Sequence, residues 1–313
     1  MTTTPGHRIT ERQVRPGLDA GSELAARADE LLAAAATDGP VLVRGLGIGG
    51  PDDLRDALTA LGLRTLSYVQ GNSPRTELAT EIFTATDFPP EFPISLHNEL
   101  SYTTRWPRYL VFACVTPAAS GGATTVAGGA DVAAGVSPGL LTKCADLGFR
   151  YRQFLHGGHG FGLSWQTTFG GDDPAQVDRV LAAEPDAEVV WCDDGVEISR
   201  RRPGLAVHPR TGERVWFNQA EQWDPSSQPA DVASAIRELL PPERWPHRVE
   251  WGDGSPVSAD ELAEIRAVYQ AHTEGVPWRR GDLVVVDNMT SMHGRAPYVG
   301  ERKVIVSLAE EAR

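Results

Sequence analysis

The triplet His97-Asn98-Glu99 and the distant His293 constrain this 313-residue chain more than any other feature of it. On an extended strand, residues i and i+2 point to the same face, so an imidazole nitrogen and a carboxylate oxygen can converge on one ion. A third ligand has to come from a different strand. His293, in Met292-His293-Gly294-Arg295-Ala296-Pro297-Tyr298-Val299-Gly300-Glu301-Arg302, is the candidate. If the three side chains meet, a strand near residue 97 lies beside one near residue 293, and the long stretch between them must leave the core and return.

Two histidines and one carboxylate on one face of an octahedron leave three positions open, the donor set of non-haem Fe(II) oxygenases. The surroundings narrow the reading. Ile94-Ser95-Leu96 precedes the triplet and Leu100-Ser101-Tyr102 follows it. Arg105-Trp106-Pro107, an apolar run and Gly121-Gly122-Ala123-Thr124 come next. This order resembles the TauD/TfdA family of Fe(II)/2-oxoglutarate-dependent dioxygenases, most closely its branch of SyrP-like and clavaminate-synthase-like hydroxylases of amino-acid-derived metabolites.

The resemblance implies a mostly β fold with flanking helices around a double-stranded β-helix, or jelly-roll, core. It implies Fe(II) held by His97, Glu99 and His293, with 2-oxoglutarate as cosubstrate and O2 as oxidant. Arg302 matches the family's arginine for the distal carboxylate of 2-oxoglutarate, in the pattern His-Gly-Arg-x-Pro-x-x-Gly-x-Arg. A guanidinium suits that task because its planar fork holds a carboxylate through two hydrogen bonds. Thr124 matches the threonine that hydrogen-bonds the same cosubstrate, although Ala123 stands where many relatives carry an acidic residue. Arg295 is either a further cosubstrate or substrate contact or a loop salt bridge. Related halogenases have a small residue in place of the carboxylate ligand, so Glu99 favours hydroxylation over halogenation and leaves desaturation and cyclisation open.

The composition, 41% hydrophobic and 23% charged with 32 Gly and 23 Pro, is that of a globular protein rich in turns. A net charge of -13 argues against nucleic-acid or anionic-membrane partners, which need a basic surface. The expected partner is an amino-acid-like small molecule, free or tethered to a carrier protein. Cys114, Cys144 and Cys192 are odd in number and widely spaced, so reduced thiols and a cytoplasmic location are expected. The stretch Met1 to Gly6 has no basic and apolar leader pattern, and no run approaches a membrane span.

One domain over 1–313 is expected, with 1–20 a loose lead-in and 137–275 a helix-containing insertion between core strands. Apolar residues at threes and fours predict helices from Ser22, from Pro51, and around 138–147, 174–183, 229–240 and 259–271. Short β-rich runs predict strands at 41–45, 82–86, 109–115, 124–127, 149–154, 188–191, 215–217, 282–286 and 303–308. On the substrate side the candidates are Trp165, Gln166, Trp216 and Asn218, with Asn72, Tyr102 and Arg152 chosen for their nearness to motifs. His156 and His159 form a rival pair, and His208, His247 and His272 read as structural. Two other readings compete: a Zn(II) hydrolase on the same three ligands, and a non-catalytic small-molecule-binding jelly roll.

Overall fold

The run Tyr109–Thr116 is apolar on both faces and lies near the middle of the larger sheet, as a strand covered on both sides must. Its residues alternate between two cores. Leu110, Phe112 and Cys114 face one, and Tyr109, Val111, Ala113 and Val115 face the other. The computed structural model describes residues 7–15, 19–67, 71, 75–184 and 186–311. In it the larger sheet runs Thr10–Gln13, Val41–Ile48, Gly281–Asp287, Tyr109–Thr116, Lys303–Glu311, Ile82–Thr84, Glu77–Ala79, and Leu63–Thr65 also pairs with Lys303–Glu311. The helices Ala20–Ala26, Ala28–Thr37 and Pro51–Ala60 pack their apolar faces on the outer side.

Against the inner side lies a four-stranded sheet ordered Glu274–Gly275, Thr124–Gly128, Ser291–Arg295, Ile94–His97. Leu96, Ala127 and Met292 from this sheet share one core with Phe112, Val284, Val286, Val304 and Val306 from the larger one. The result is the two-sheet jelly-roll core expected from the sequence. The segment after Thr124–Gly128 builds an antiparallel sheet of its own, ordered Glu188–Cys192, Gly195–Arg202, Phe149–His156, His247–Trp251. Helices surround it, including Ala259–His272, which begins with a capping box between Ser258 and Glu261.

Three expectations need correction. The lead-in is not wholly loose: Thr10–Gln13 is a strand, parallel to Val41–Arg44. The helix expected from Ser22 is two helices, because Arg27 leaves helical geometry at φ -116°. Gly195–Arg202 and His247–Trp251 are strands that the sequence hides. In the first, Arg200 and Arg202 are both buried on the shared carboxylate of Glu184. Among the described residues no helix is long and apolar enough to cross a membrane. Cys114, Cys144 and Cys192 are free, and burial pushes the Cys114 and Cys144 thiols up to about 11 and about 12.

Candidate metal centre

The strand Ile94–His97 is the edge of the smaller sheet and pairs antiparallel with Ser291–Arg295, so that His293 stands opposite His97. A register shift between His293 and Arg295 falls at Gly294. A Cβ on Gly294 would lie 2.5 Å from the Ile94 carbonyl oxygen, so only glycine lets the two backbones approach this closely. The His97 and His293 rings are 4.2 Å apart, centre to centre, and both residues are buried.

Glu99 reaches the same place by a different route from the one the i, i+2 rule supplies. The strand stops at His97, and the chain turns through Leu100, which has a positive φ of 56°. Two asparagines hold this turn. Asn98 donates its amide to the Asn288 carbonyl at 2.7 Å. The Asn288 side chain accepts from the Glu99 N–H at 2.7 Å and donates to the Glu99 carbonyl at 2.9 Å. Glu99 Oε2 thereby lies 3.7 Å from His293 Nε2 and 4.0 Å from His97 Nε2. One ligand atom from each of the three residues lies within 4.8 Å of the other two.

The electrostatics fit a cation. Burial, then the neighbouring His293, pushes His97 down to about 3, so its imidazole is neutral at physiological pH. Its Nδ1 lies 2.9 Å from the Ser95 carbonyl, which calls for a proton there and leaves the Nε2 lone pair aimed at the centre. Burial alone would raise the Glu99 carboxyl, but the Arg75 guanidinium, with His293, outweighs it and holds the group below the usual carboxylate range. Arg75 Nη2 sits 2.5 Å from Glu99 Oε2, with both side chains buried. The donor set of two nitrogens and one carboxylate oxygen around a cavity therefore suits a first-row divalent metal.

That cavity runs from His97 and His293 past Phe112 and Gly294 to Thr124 and Arg302. Arg302 Nε donates to the Gly122 carbonyl at 2.7 Å, and its Nη2 lies 3.4 Å from Thr124 Oγ1. The Trp278 indole N–H donates to the same hydroxyl at 3.1 Å. Burial, then Arg295, pushes Arg302 down to about 10, the mark of a cation in a tight apolar setting that an anion would relieve.

A family model described as "Taurine catabolism dioxygenase TauD, TfdA family" matches residues 4–308. The chain belongs to the TauD, TfdA family. Two relatives of this TauD-family chain cover most of it. The dapdiamide synthesis protein DdaC of Enterobacter agglomerans is 26% identical over 283 residues, 90% of this chain and 84% of the relative. A clavaminate synthase-like protein of Arabidopsis thaliana is 27% identical over 282 residues, 87% and 82% of the two chains. Among solved structures, PvcB of Pseudomonas aeruginosa superposes with a TM-score of 0.56 at 17% identity, covering 97% of this chain and 86% of its own.

The remaining candidate residues of this TauD-family chain take other places. Arg295 lines the cavity wall, but its two Nη groups donate to the carbonyls of Phe88, Pro89 and Phe92 at 2.6 to 2.8 Å. It clamps the loop before Ile94. Tyr102 lies in an aromatic cluster with Tyr151 and Trp223. Trp216 is fully buried and donates to Tyr269. Asn218 donates to the Gly204 carbonyl and backs Asn98. Arg152 faces Glu197 and Glu250 on the insertion sheet. Trp165 packs in the insertion's own core, and Gln166 donates to the Gly157 carbonyl. None of these six lines the cavity that holds His97 and His293. Asn72 lies outside the described residues. The histidine pair 156 and 159 belongs to no metal-binding group among the described residues.

Sequence reasoning missed Arg75, Asn288 and Gln222, whose amide Nε2 lies 3.5 Å from His97 Nδ1. Each sits in a segment with no motif. Only the fold brings them to the centre.

Proposed function

We propose that this protein is an Fe(II)- and 2-oxoglutarate-dependent oxygenase that hydroxylates an unactivated C–H bond of an amino-acid-like metabolite. The observation that carries the reading is one cavity lined by His97 and His293, whose ligand atoms Glu99 joins within 4.8 Å, and by Arg302 with Thr124. Two similar proteins support it. DdaC is a dapdiamide synthesis protein, and PvcB is described as an Fe, alpha-ketoglutarate dependent oxygenase from an isonitrile synthetic pathway.

In this reading His97 and His293 each offer a nitrogen lone pair and Glu99 the anionic oxygen that offsets part of the metal's charge. Asn98 and Asn288 keep Glu99 turned inward, and Ser95 keeps His97 in the ligating tautomer. Arg302 receives the distal carboxylate of 2-oxoglutarate through charge-assisted hydrogen bonds, and Thr124 adds a hydroxyl. Iron and 2-oxoglutarate, when bound, would supply an oxidative decarboxylation that consumes O2, placing one oxygen atom in succinate, releasing CO2 and leaving the other atom for the C–H bond. Phe112, Ala85 and Ile94 give the cavity its apolar wall, and the protein's share is positioning and shielding of the reacting groups. Glu99 keeps a carboxylate at the position that halogenases vacate, which favours hydroxylation.

The test is succinate formation from 2-oxoglutarate with and without Fe(II). Succinate that requires both iron and O2 is expected. No succinate with Fe(II), 2-oxoglutarate and O2 all supplied would overturn the reading.

A further inference from the structure

A second cavity, about 230 Å³, lies against the outer edge of the strand Ile94–His97, beyond the cosubstrate cavity. Thr86 and Ile94 line both, so the two cavities share a wall there, and Ile94 is on the strand that carries His97. Gln222 lines the second cavity and its amide lies 3.5 Å from His97 Nδ1, so one side chain separates this cavity from the back of a ligand ring.

Its walls differ in kind from those of the first. Phe88, Phe161, Trp223, Val232 and Ile236 supply the surface, and Phe161 is exposed at 41% although large and apolar. No Lys or Arg among the described residues lines it. Its carboxylate, Asp224, already accepts the Ser226 N–H at 2.8 Å and faces Arg237 at 3.7 Å. Its histidine, His247, lies 4.7 Å from the Trp223 ring, centre to centre, and burial lowers it to about 4, so it is uncharged at neutral pH. The other polar groups include the neutral amides of Gln222 and Gln228. An anion placed here would lose its water beside a carboxylate and gain no cation. An apolar body with a neutral hydrogen-bonding end loses nothing of that kind, and a cavity of this volume takes a benzene-sized group.

We propose that this cavity is the substrate pocket and that it takes an uncharged, aromatic-sized side chain, any anionic group of the substrate lying outside it. The proposal rests on the iron and 2-oxoglutarate reading for its purpose, though not for its chemistry.

Benzamide and benzoate have nearly the same shape and differ in charge, which makes them the probes. Each is titrated calorimetrically into the protein saturated with Fe(II) and 2-oxoglutarate under argon, with the visible band of the iron chelate followed in parallel. Benzamide should bind at least about ten-fold more tightly than benzoate. Val232 is half-exposed on the helix Ala230–Leu239, so Val232→Trp should fill the pocket without disturbing the fold. That variant should weaken benzamide at least about ten-fold and leave 2-oxoglutarate affinity unchanged. Val232→Arg should turn the preference toward benzoate. Equal or tighter binding of benzoate by the wild type, no binding of benzamide, or benzamide affinity untouched by Val232→Trp would each overturn the pocket assignment. Absence of the band with the benzamide preference intact would overturn the cosubstrate reading and leave the pocket standing.

Discussion

Two four-stranded sheets in this molecule bury charged side chains, and they use them in opposite ways. In the insertion sheet, Arg200 and Arg202 on the strand Gly195–Arg202 share Glu184, and Arg202 also meets Asp186. Arg152 faces Glu197 across the same sheet. These charges answer one another. In the smaller core sheet, His97 and His293 on facing strands converge with Glu99 on one point beside a cavity, and Arg302 stands at the far end of it. Buried charge that closes on itself holds a fold together, whereas buried charge aimed at a cavity marks a site. A set of variants can break or sharpen that contrast.

The largest effect belongs to the ligands. His97→Ala and His293→Ala should each lose bound iron, measured by metal analysis, and should drop succinate formation to background. Their thermal unfolding should stay near wild type, because a histidine in a cavity carries little of the packing. Retained iron in either variant removes that residue from the centre.

Glu184→Ala should do the reverse. It leaves Arg200 and Arg202 buried around a missing carboxylate, and breaking such a network costs about 3–5 kcal/mol. Urea unfolding should show that loss, while iron and 2-oxoglutarate binding at low temperature should persist. A change below about 1 kcal/mol would mean the arginines find other partners, as surface pairs do.

Acid should also find the insertion sheet. His247, on the strand His247–Trp251, has a folded value lowered to about 4 by burial. Between pH 4 and about 6.5 the unfolded chain therefore binds a proton that the folded chain refuses, so this contribution to stability is present above pH 6.5 and lost as pH falls toward 4. The loss from this group amounts to about 3 kcal/mol at most. Denaturant unfolding of metal-free protein from pH 7 to pH 4 should show a shallower decline in His247→Gln. Identical slopes would show that His247 titrates normally.

Arg302→Ala should be the gentlest change to the core and the most selective. Losing the charge-assisted hydrogen bonds to a carboxylate should weaken 2-oxoglutarate by about 2 kcal/mol, roughly 30-fold, with iron affinity unchanged. Arg302→Lys should recover part of the loss, because an ammonium keeps the charge and lacks the fork. Unchanged cosubstrate dependence would move the role elsewhere.

Much of this was legible in the sequence because it is written in local pattern. The buried strand Tyr109–Thr116 is a continuous apolar run, and His293-Gly294-Arg295 through Arg302 is one uninterrupted motif. The triad could be read because two of its members are adjacent but one. Even so, the reason given for Glu99 was incomplete: the asparagine clamp turns it inward, not the pleat of a strand. What the sequence hid depends on partners far away. Arg200 and Arg202 sit on Glu184, a partner that no local pattern announces, and Trp216 and Asn218 bond to Tyr269 and Gly204, far from them in the chain. The true neighbours of His97 and Glu99, Gln222 and Arg75, carry no motif at all.

The central claim is that one cavity binds a metal at the His97, Glu99, His293 end and a dicarboxylate that reaches to Arg302. Anaerobic titration of the metal-free protein with Fe(II) and then 2-oxoglutarate tests it most directly. A weak visible charge-transfer band that grows with 2-oxoglutarate, saturates at one equivalent of iron, and needs more cosubstrate in Arg302→Ala is the result this account predicts. Iron that binds without any band, or a band equally easy to form without Arg302, would contradict it.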